Sequence, residues 1–326
     1  MFNIIKPGLK TTIQDNGRYG FYHLGVPPSG AADKFSYRIG NILLGNPLDS
    51  AALEMTLLGP VIEVEKSTVI SVTGAPARVL LNQKEIPMWE TVKVVEGDLL
   101  EFSYHSSKAG VYTYLCVSGG FSLPEVLGSR SAYLLSDFEG YLGRRLAAGD
   151  EVAVSEPLPG AFKRAGISLP DMHIPAFSNH VNVRAVMGLT SDLITDEGVT
   201  GCLNSEWTTQ MESDRVALRM KGAIVPSEEF PPPFGSGGGF ASVVDMAYPI
   251  GAILVPNEEE IIVLLNDATS GGGFISLGTV ISMDLDLIAQ ARPLTTIRFH
   301  AVTIDQALVA RRERKKKLAL ISEMLG

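Results

Sequence analysis

The 326-residue chain is 45% hydrophobic and 19% charged, which is enough apolar material for two packed lobes and too regular a balance for a disordered chain. Its formal charge of −9 argues against nucleic acid as a standing partner, because phosphate backbones are held mainly by clustered Lys and Arg. The two cysteines, Cys116 and Cys202, lie far apart and outside any C-x-x-C pair, which indicates neither a disulfide framework nor a zinc site.

In chain order, the segment from Met1 to Gly8 runs quickly into a turn and lacks the apolar stretch and cleavage site of a signal peptide. No segment approaches the roughly 20 apolar residues of a membrane span, and a soluble cytoplasmic protein is expected. Gly25–Asp33 joins a rigid proline pair, Pro27 and Pro28, to a helix start. Ser29 is there either as a helix cap or as one of a set of groups, with its neighbouring N–H donors, presented at a fixed place. Phe35, Ile39, Ile42 and Leu43 recur at helical spacing, so a helix is predicted over 31–44 with Gly45 as its stop.

Short β-branched runs follow, at Thr68–Val72, Arg78–Leu81, Thr91–Val95 and Leu99–Phe102, with turns at Glu96–Asp98 and Ala148–Asp150. Strands at this spacing favour barrels or sandwiches over a parallel α/β sheet. Ser122–Glu125 has capping-box spacing with Pro124 in the first turn. Proline-rich composition between 155 and 181 marks a lobe boundary, with His180–Arg184 as the first strand beyond it. The expected domains are therefore 1–160, 175–302 and a terminal helix over 303–326, opened by the capping-box spacing Thr303–Gln306.

Phe230–Phe240 reads as a long loop, since Pro removes donors and Gly removes stiffness. The string Ser-Gly-Gly-Gly-Phe occurs at 236–240 and again at 270–274. Neither copy carries the Lys-Ser/Thr of a nucleotide P-loop, so ATP binding by this chain alone is not indicated. A hairpin or bulge is the plainer reading of both, and an anion nest the other. The five histidines show no metal-ligand spacing, and there is no G-x-S-x-G elbow. The basic run Arg311–Lys317 reads as a solvated helix end whose cations suit the C-terminal dipole. Ser213–Arg215 puts Asp214 beside Arg215, which together form a structural ion pair or leave Arg215 to bind a substrate carboxylate. Asp267 follows the apolar run Ile261–Leu265, as a base in a cleft or as a turn former.

Longer strings carry a resemblance. Pro7–Arg18, His23–Asp33, Asn41 to Asn46-Pro47, Ala52–Thr56 with Gly59-Pro60, Thr73–Ala75, Pro87–Trp89, Leu127–Ser131, Leu142–Arg144, Ser205–Thr208, Ser213–Arg215, Gly251–Ile253 and Val255-Pro256 resemble, in order, the KipA family. That family includes the C subunits of 5-oxoprolinases and matches part of the carboxyltransferase region of urea carboxylase. The resemblance implies a mainly β protein of two barrel-like, cyclophilin-like lobes with a few short helices and a C-terminal helix.

It also implies a component of an ATP-dependent 5-oxoprolinase, which opens 5-oxoproline to glutamate, or of a related carboxyltransferase-like amidolyase. The partners would be a KipI-like B-type subunit sharing the active site and a LamB/YcsF-like A-type subunit. The alternative is a regulatory KipA-type protein that antagonises a KipI-like kinase inhibitor. ATP would be used by the complex, and no metal is implied. Biotin is admitted by the family, although no biotinyl-lysine motif of the Ala-Met-Lys-Met kind occurs.

By residue type and family position, Asp214, Arg215 and Asp267 would be catalytic. Pro27, Ser29, Gly30, Asp33, Gly271, Gly272 and Gly273 would contact substrate. The second lobe departs from the family pattern: Ser213–Met220 loses a Gly and a Tyr, Leu254 replaces a Gln, and Asp267–Ser276 lacks the usual Arg, Gln, Tyr, Pro and Lys. Replacing hydrogen-bonding groups with apolar ones removes selectivity for a polar substrate.

Overall fold

The computed structural model describes residues 1–104, 109–136, 138–234 and 242–326, with Tyr104 described by its backbone only. The chain is mostly β and forms two compact units. The first comprises Met1–Arg18, Ser29–Phe177 and Lys316–Gly326, and the second Tyr19–Pro28 and Ser178–Lys315.

Two antiparallel sheets make the first unit. One runs Glu151–Val152, Phe2–Lys6, Val61–Val64, Leu99–Tyr104, Ala77–Leu81, Lys84–Ile86, and the other Lys10–Gln14, Ala52–Thr56, Tyr112–Val117, Thr68–Gly74, Thr91–Val94. Period-two alternation turns Phe2, Ile4, Ile62 and Val64 of the first sheet inward, and Ile13, Leu53, Ile70 and Leu115 of the second join them in one core.

Helix α1 (Lys34–Leu44) lies on the second sheet with Phe35, Ile39, Ile42 and Leu43 buried, and ends at Gly45 in the left-handed region, φ 72°. It approaches closely because Gly40 has no side chain: a Cβ there would stand 2.6 Å from Cys116 Sγ. Ser71 and Thr73 hydroxyls donate to the carbonyls of Gly40 and Ser36, both at 2.8 Å.

The helix begins three residues later than its periodicity predicts, and Ser29 does not cap it. Asp33, in an extended conformation, accepts from Ser36 N at 2.9 Å and is the cap. No helix forms at Ser122–Glu125 either. The chain there is irregular and then turns between Val126 and Ser129, with Leu127 and Gly128 both at positive φ. A helix starting at Pro124 would be stopped within about one turn, too short to repay nucleation.

The second unit is a closed seven-stranded barrel. Its order is His180–Met187, Thr296–Ala301, Trp207–Thr209, Ala217–Lys221, Glu260–Leu264, Ala252–Asn257, Gly271–Val280, and the end of the last strand returns to His180–Met187 (Ala185 opposite Val280). Ser242–Ala247 pairs with the beginning of Gly271–Val280. The core gathers Trp207, Phe299, Ile297, Met220, Val255 and Ile275, with α2 (Asp196–Asn204) and α3 (Leu285–Ala289) contributing Cys202 and Ile288.

Of the long loop foreseen at Phe230–Phe240, Phe230–Phe234 has no regular structure, and Ser236–Phe240, the first glycine string, lies outside the described residues. The second string is not a loop, because Gly271 to Phe274 are strand.

Helix α4 (Ile304–Leu325) opens on a reciprocal capping box, with Thr303 N donating to Gln306 Oε1 at 2.9 Å and Gln306 N to Thr303 Oγ1 at 3.2 Å. Its cations do not serve the C-terminal dipole as expected. No basic residue stands in the last turn, and the dipole acts only over about one turn. Among the described residues no helix is long and apolar enough to cross a membrane.

Burial pushes the thiols of Cys116 and Cys202 up to about 12 from an ordinary 9.0. Both should be inert to alkylation of the folded chain at pH 9 and become reactive only on unfolding, as mass spectrometry of iodoacetamide-treated protein would read. The folded pKa is raised, so whatever stability the neutral thiols lend is present below the unfolded value and is lost as pH rises from about 9 toward 12.

Candidate functional site

Two polar centres stand out, one in each unit. In the first unit, Asp15 directly follows the strand Lys10–Gln14 and is buried. Its carboxylate accepts from Gly17 N (2.8 Å), Arg130 N (2.6 Å), Ser129 Oγ (2.6 Å) and Ser131 Oγ (2.5 Å). Arg18, buried as well, donates to the carbonyls of Ser131 and Val126 and lies 5.0 Å over the Phe138 ring.

The segment Ser29–Asp33 is pressed onto this hub. Ala31 N donates to Asp15 O at 2.9 Å, and a Cβ on Gly30 would come within 2.9 Å of Gly17 Cα. Gly30 has φ 85° and Ser29 φ 52°, a conformation costly for a serine. Ser29 is completely buried and its hydroxyl has no hydrogen-bond partner among the described residues.

The next residues are held from below. Ala32 N and the Tyr114 hydroxyl both donate to Glu54 Oε2 at 2.8 Å, and Asp33 N donates to the Tyr114 oxygen at 2.8 Å. Burial first, then the charges of Glu54 and Asp33, raise the Tyr114 phenol well above its usual range, so it stays a neutral donor. Ser29, Gly30 and Asp33 are thus buried together, with Asp33 tied into the Glu54–Tyr114 network. Pro27, also buried, belongs to the second unit.

In the second unit, Arg215 finds its partner not in its sequence neighbour but in Asp267. Nε to Oδ2 is 2.9 Å and Nη2 to Oδ1 3.2 Å, with the two side chains only 3% and 6% exposed. The backbone brings them together: the ladder between Ala217–Lys221 and Glu260–Leu264 is prolonged by Leu265 N to Val216 O (2.8 Å) and Asp267 N to Arg215 O (3.0 Å). Both carboxylate oxygens of Asp267 are engaged, so the pair is neutral as a whole and Asp267 is not an unoccupied base.

Asp214 is exposed and turns its carboxylate back on the chain, accepting from Val216 N (2.7 Å) and Ala217 N (3.3 Å), the turn-forming habit of this side chain. Gly271 and Gly272 are paired with Ala247 and Met246. Side chains at Gly271 and Gly273 would strike the carbonyls of Met246 and Val243, so these glycines permit close strand contact rather than form a nest. Leu254 is buried in an apolar cluster with Tyr248, Ile262 and Leu264.

Cavities of the second unit, about 630 Å³ at Met187–Val199 with Glu228 and about 340 Å³ at Val186, Ile250, Thr279–Ser282 and α4, are lined by none of Asp214, Arg215 and Asp267. Among the described residues no cluster of three or more His, Cys, Asp or Glu could hold a metal ion.

Sequence reasoning assigns no role to Asp15, Arg18, Glu54, Tyr114, Ser129 or Ser131. One signal is present: Glu54 is a lone charge inside the otherwise apolar run Ala51–Met55, and a charge there is stable only when hydrogen-bonded.

Residues 24–301 match the carboxyltransferase domain family, subdomain A and B. The chain is 32% identical to the C subunit of 5-oxoprolinase from Haemophilus influenzae over 97% of its own length and 96% of that protein's. It is 31% identical to urea amidolyase of Lachancea kluyveri over 99% of its length, which is only 18% of that enzyme. The crystal structure of Kluyveromyces lactis urea carboxylase superposes with a TM-score of 0.89 at 30% identity, covering 98% of this chain and 29% of the larger one.

Proposed function

This chain belongs to the carboxyltransferase domain family, subdomain A and B, and from that premise we propose that it is the C-type subunit of an ATP-dependent 5-oxoprolinase complex. The observation that carries the reading is the end-to-end correspondence with the 5-oxoprolinase C subunit, 97% of one chain against 96% of the other. The urea enzymes share this region only as a fraction of much longer chains.

In this reading the active site is completed by a KipI-like partner, and a LamB/YcsF-like protein joins the assembly. The charged groups of this chain support such a division of labour. Arg215 and Asp267 neutralise each other, and Asp15 is saturated by four donors. They hold walls in place rather than attack a lactam. The buried Ser29 hydroxyl, without a hydrogen-bond partner among the described residues, is assigned to the substrate side together with the loop backbone. Gly271–Gly273 are extended and close-packed, so ATP is assigned to the partner proteins. No residue of this chain is assigned to biotin.

Purified with both partners, the protein is expected to release glutamate from 5-oxoproline only when ATP is present, and to leave urea untouched. An inactive but intact complex of all three proteins would overturn the reading in favour of a regulatory protein of the KipA type.

A further inference from the structure

The basic run of α4 is left without a role once the dipole explanation fails. Arg314 is accounted for: it donates to Asp286 Oδ2 at 2.7 Å and to Met283 O at 3.0 Å. Glu313 acts on Arg184. Arg311 and Lys315 are exposed and, among the described residues, have no ion-pair partner. At spacings of three and four they share one helix face with Leu308 and Ile304. That face is therefore a stripe, apolar at its N-terminal end and cationic about one turn further on.

The apolar end of the stripe borders a groove. Its other wall comes from the barrel, with Val186, Ile250, Val280 and Ile281, and its volume is about 340 Å³. Ile304 is 66% exposed and Leu308 39%, so two apolar side chains on one helix face stand open beside the apolar groove wall. The groove is open to solvent rather than enclosed, unlike a small-molecule pocket, which encloses most of its ligand.

We infer that this groove docks a segment of a partner chain carrying apolar anchors followed by carboxylates. Leucine-like side chains would fill the space between Ile304, Leu308 and the barrel wall, and Glu or Asp one turn along would meet Arg311 and Lys315. Charge decides the occupant: on a chain of net charge −9 a second copy would bring mostly like-signed surface to the acidic remainder of the molecule, whereas an acidic segment is drawn to this local cationic stripe. The inference is independent of the reaction catalysed.

The test is fluorescence anisotropy of the full chain with a fluorescein-labelled Glu-Leu-Leu-Glu-Glu-Leu-Leu-Glu peptide, against the same peptide with Lys for Glu. Saturable binding of the acidic peptide is expected, at least about tenfold tighter than the lysine peptide at low salt and weaker as salt rises. Arg311→Glu with Lys315→Glu, and separately Leu308→Ser, should each weaken it by about tenfold while thermal melting confirms that the exposed changes leave the fold intact. Absence of binding, equal binding by the charge-reversed variant, concentration-dependent self-association through this face, or preference for phosphatidylglycerol vesicles over the peptide would each overturn it.

Discussion

Asp267→Ala is expected to cost about 3–5 kcal/mol of stability, because it takes the carboxylate from a guanidinium, that of Arg215, whose side chain is only 3% exposed. Arg215→Ala should cost a similar amount for the mirror reason. The double replacement Arg215→Met with Asp267→Leu removes both charges and keeps the volume, so it should recover most of the loss, within about 1–2 kcal/mol of the original chain. Urea denaturation of the three variants reads this directly. If the double loses as much stability as the two singles added together, the two groups are not coupled and the ladder-end clamp is not what holds them. The double variant also separates positioning from chemistry: if the pair only props the strand ends, complexes assembled with it keep turnover.

The second large effect is expected at Asp15. Its carboxylate is the common acceptor for two main-chain N–H groups and two hydroxyls drawn from separate parts of the chain. Asp15→Ala takes the acceptor from the half-buried Gly17 and Arg130 amides and from the buried Ser129 and Ser131 hydroxyls, and at about 1 kcal/mol for each lost bond a total near 3–5 kcal/mol is expected. Asp15→Asn retains one acceptor oxygen but points an amide donor at donors, and should fall between. Because Ala31 N hangs on Asp15 O, hydrogen exchange of the 29–33 loop should quicken in Asp15→Ala more than in strands remote from it. Unchanged exchange there, with an unchanged urea midpoint, would show that the hub does not hold the loop.

Elements governed by neighbours in sequence are legible. The spacing of Phe35, Ile39, Ile42 and Leu43, the stop at Gly45 and the Thr303–Gln306 capping box all appear in the fold, because helix faces and caps are set within a few residues. The cap of α1 is ambiguous in sequence because Ser and Asp both suit that role, and backbone geometry at 29–33 chooses Asp33 over Ser29. Arg215 and Asp267 each stand out by residue type, yet their pairing does not: 52 residues separate them, and a ladder rather than a local motif joins them. Gly271–Gly273 mislead for a related reason. Glycine signals freedom in sequence, while here it answers to the carbonyls of a neighbouring strand. The resemblance covers the family, whereas the hub at Asp15 is visible only as strings of matched residues until the fold draws 15–18, 29–33 and 129–131 together.

In the proposed function this chain works only in company, and omission is the most direct way to ask. With the three proteins of the proposed complex purified and each left out in turn, glutamate and ADP release from 5-oxoproline should fall to background whenever this chain is missing and return when it is restored. Turnover by this chain alone, or by the other two without it, would contradict the account.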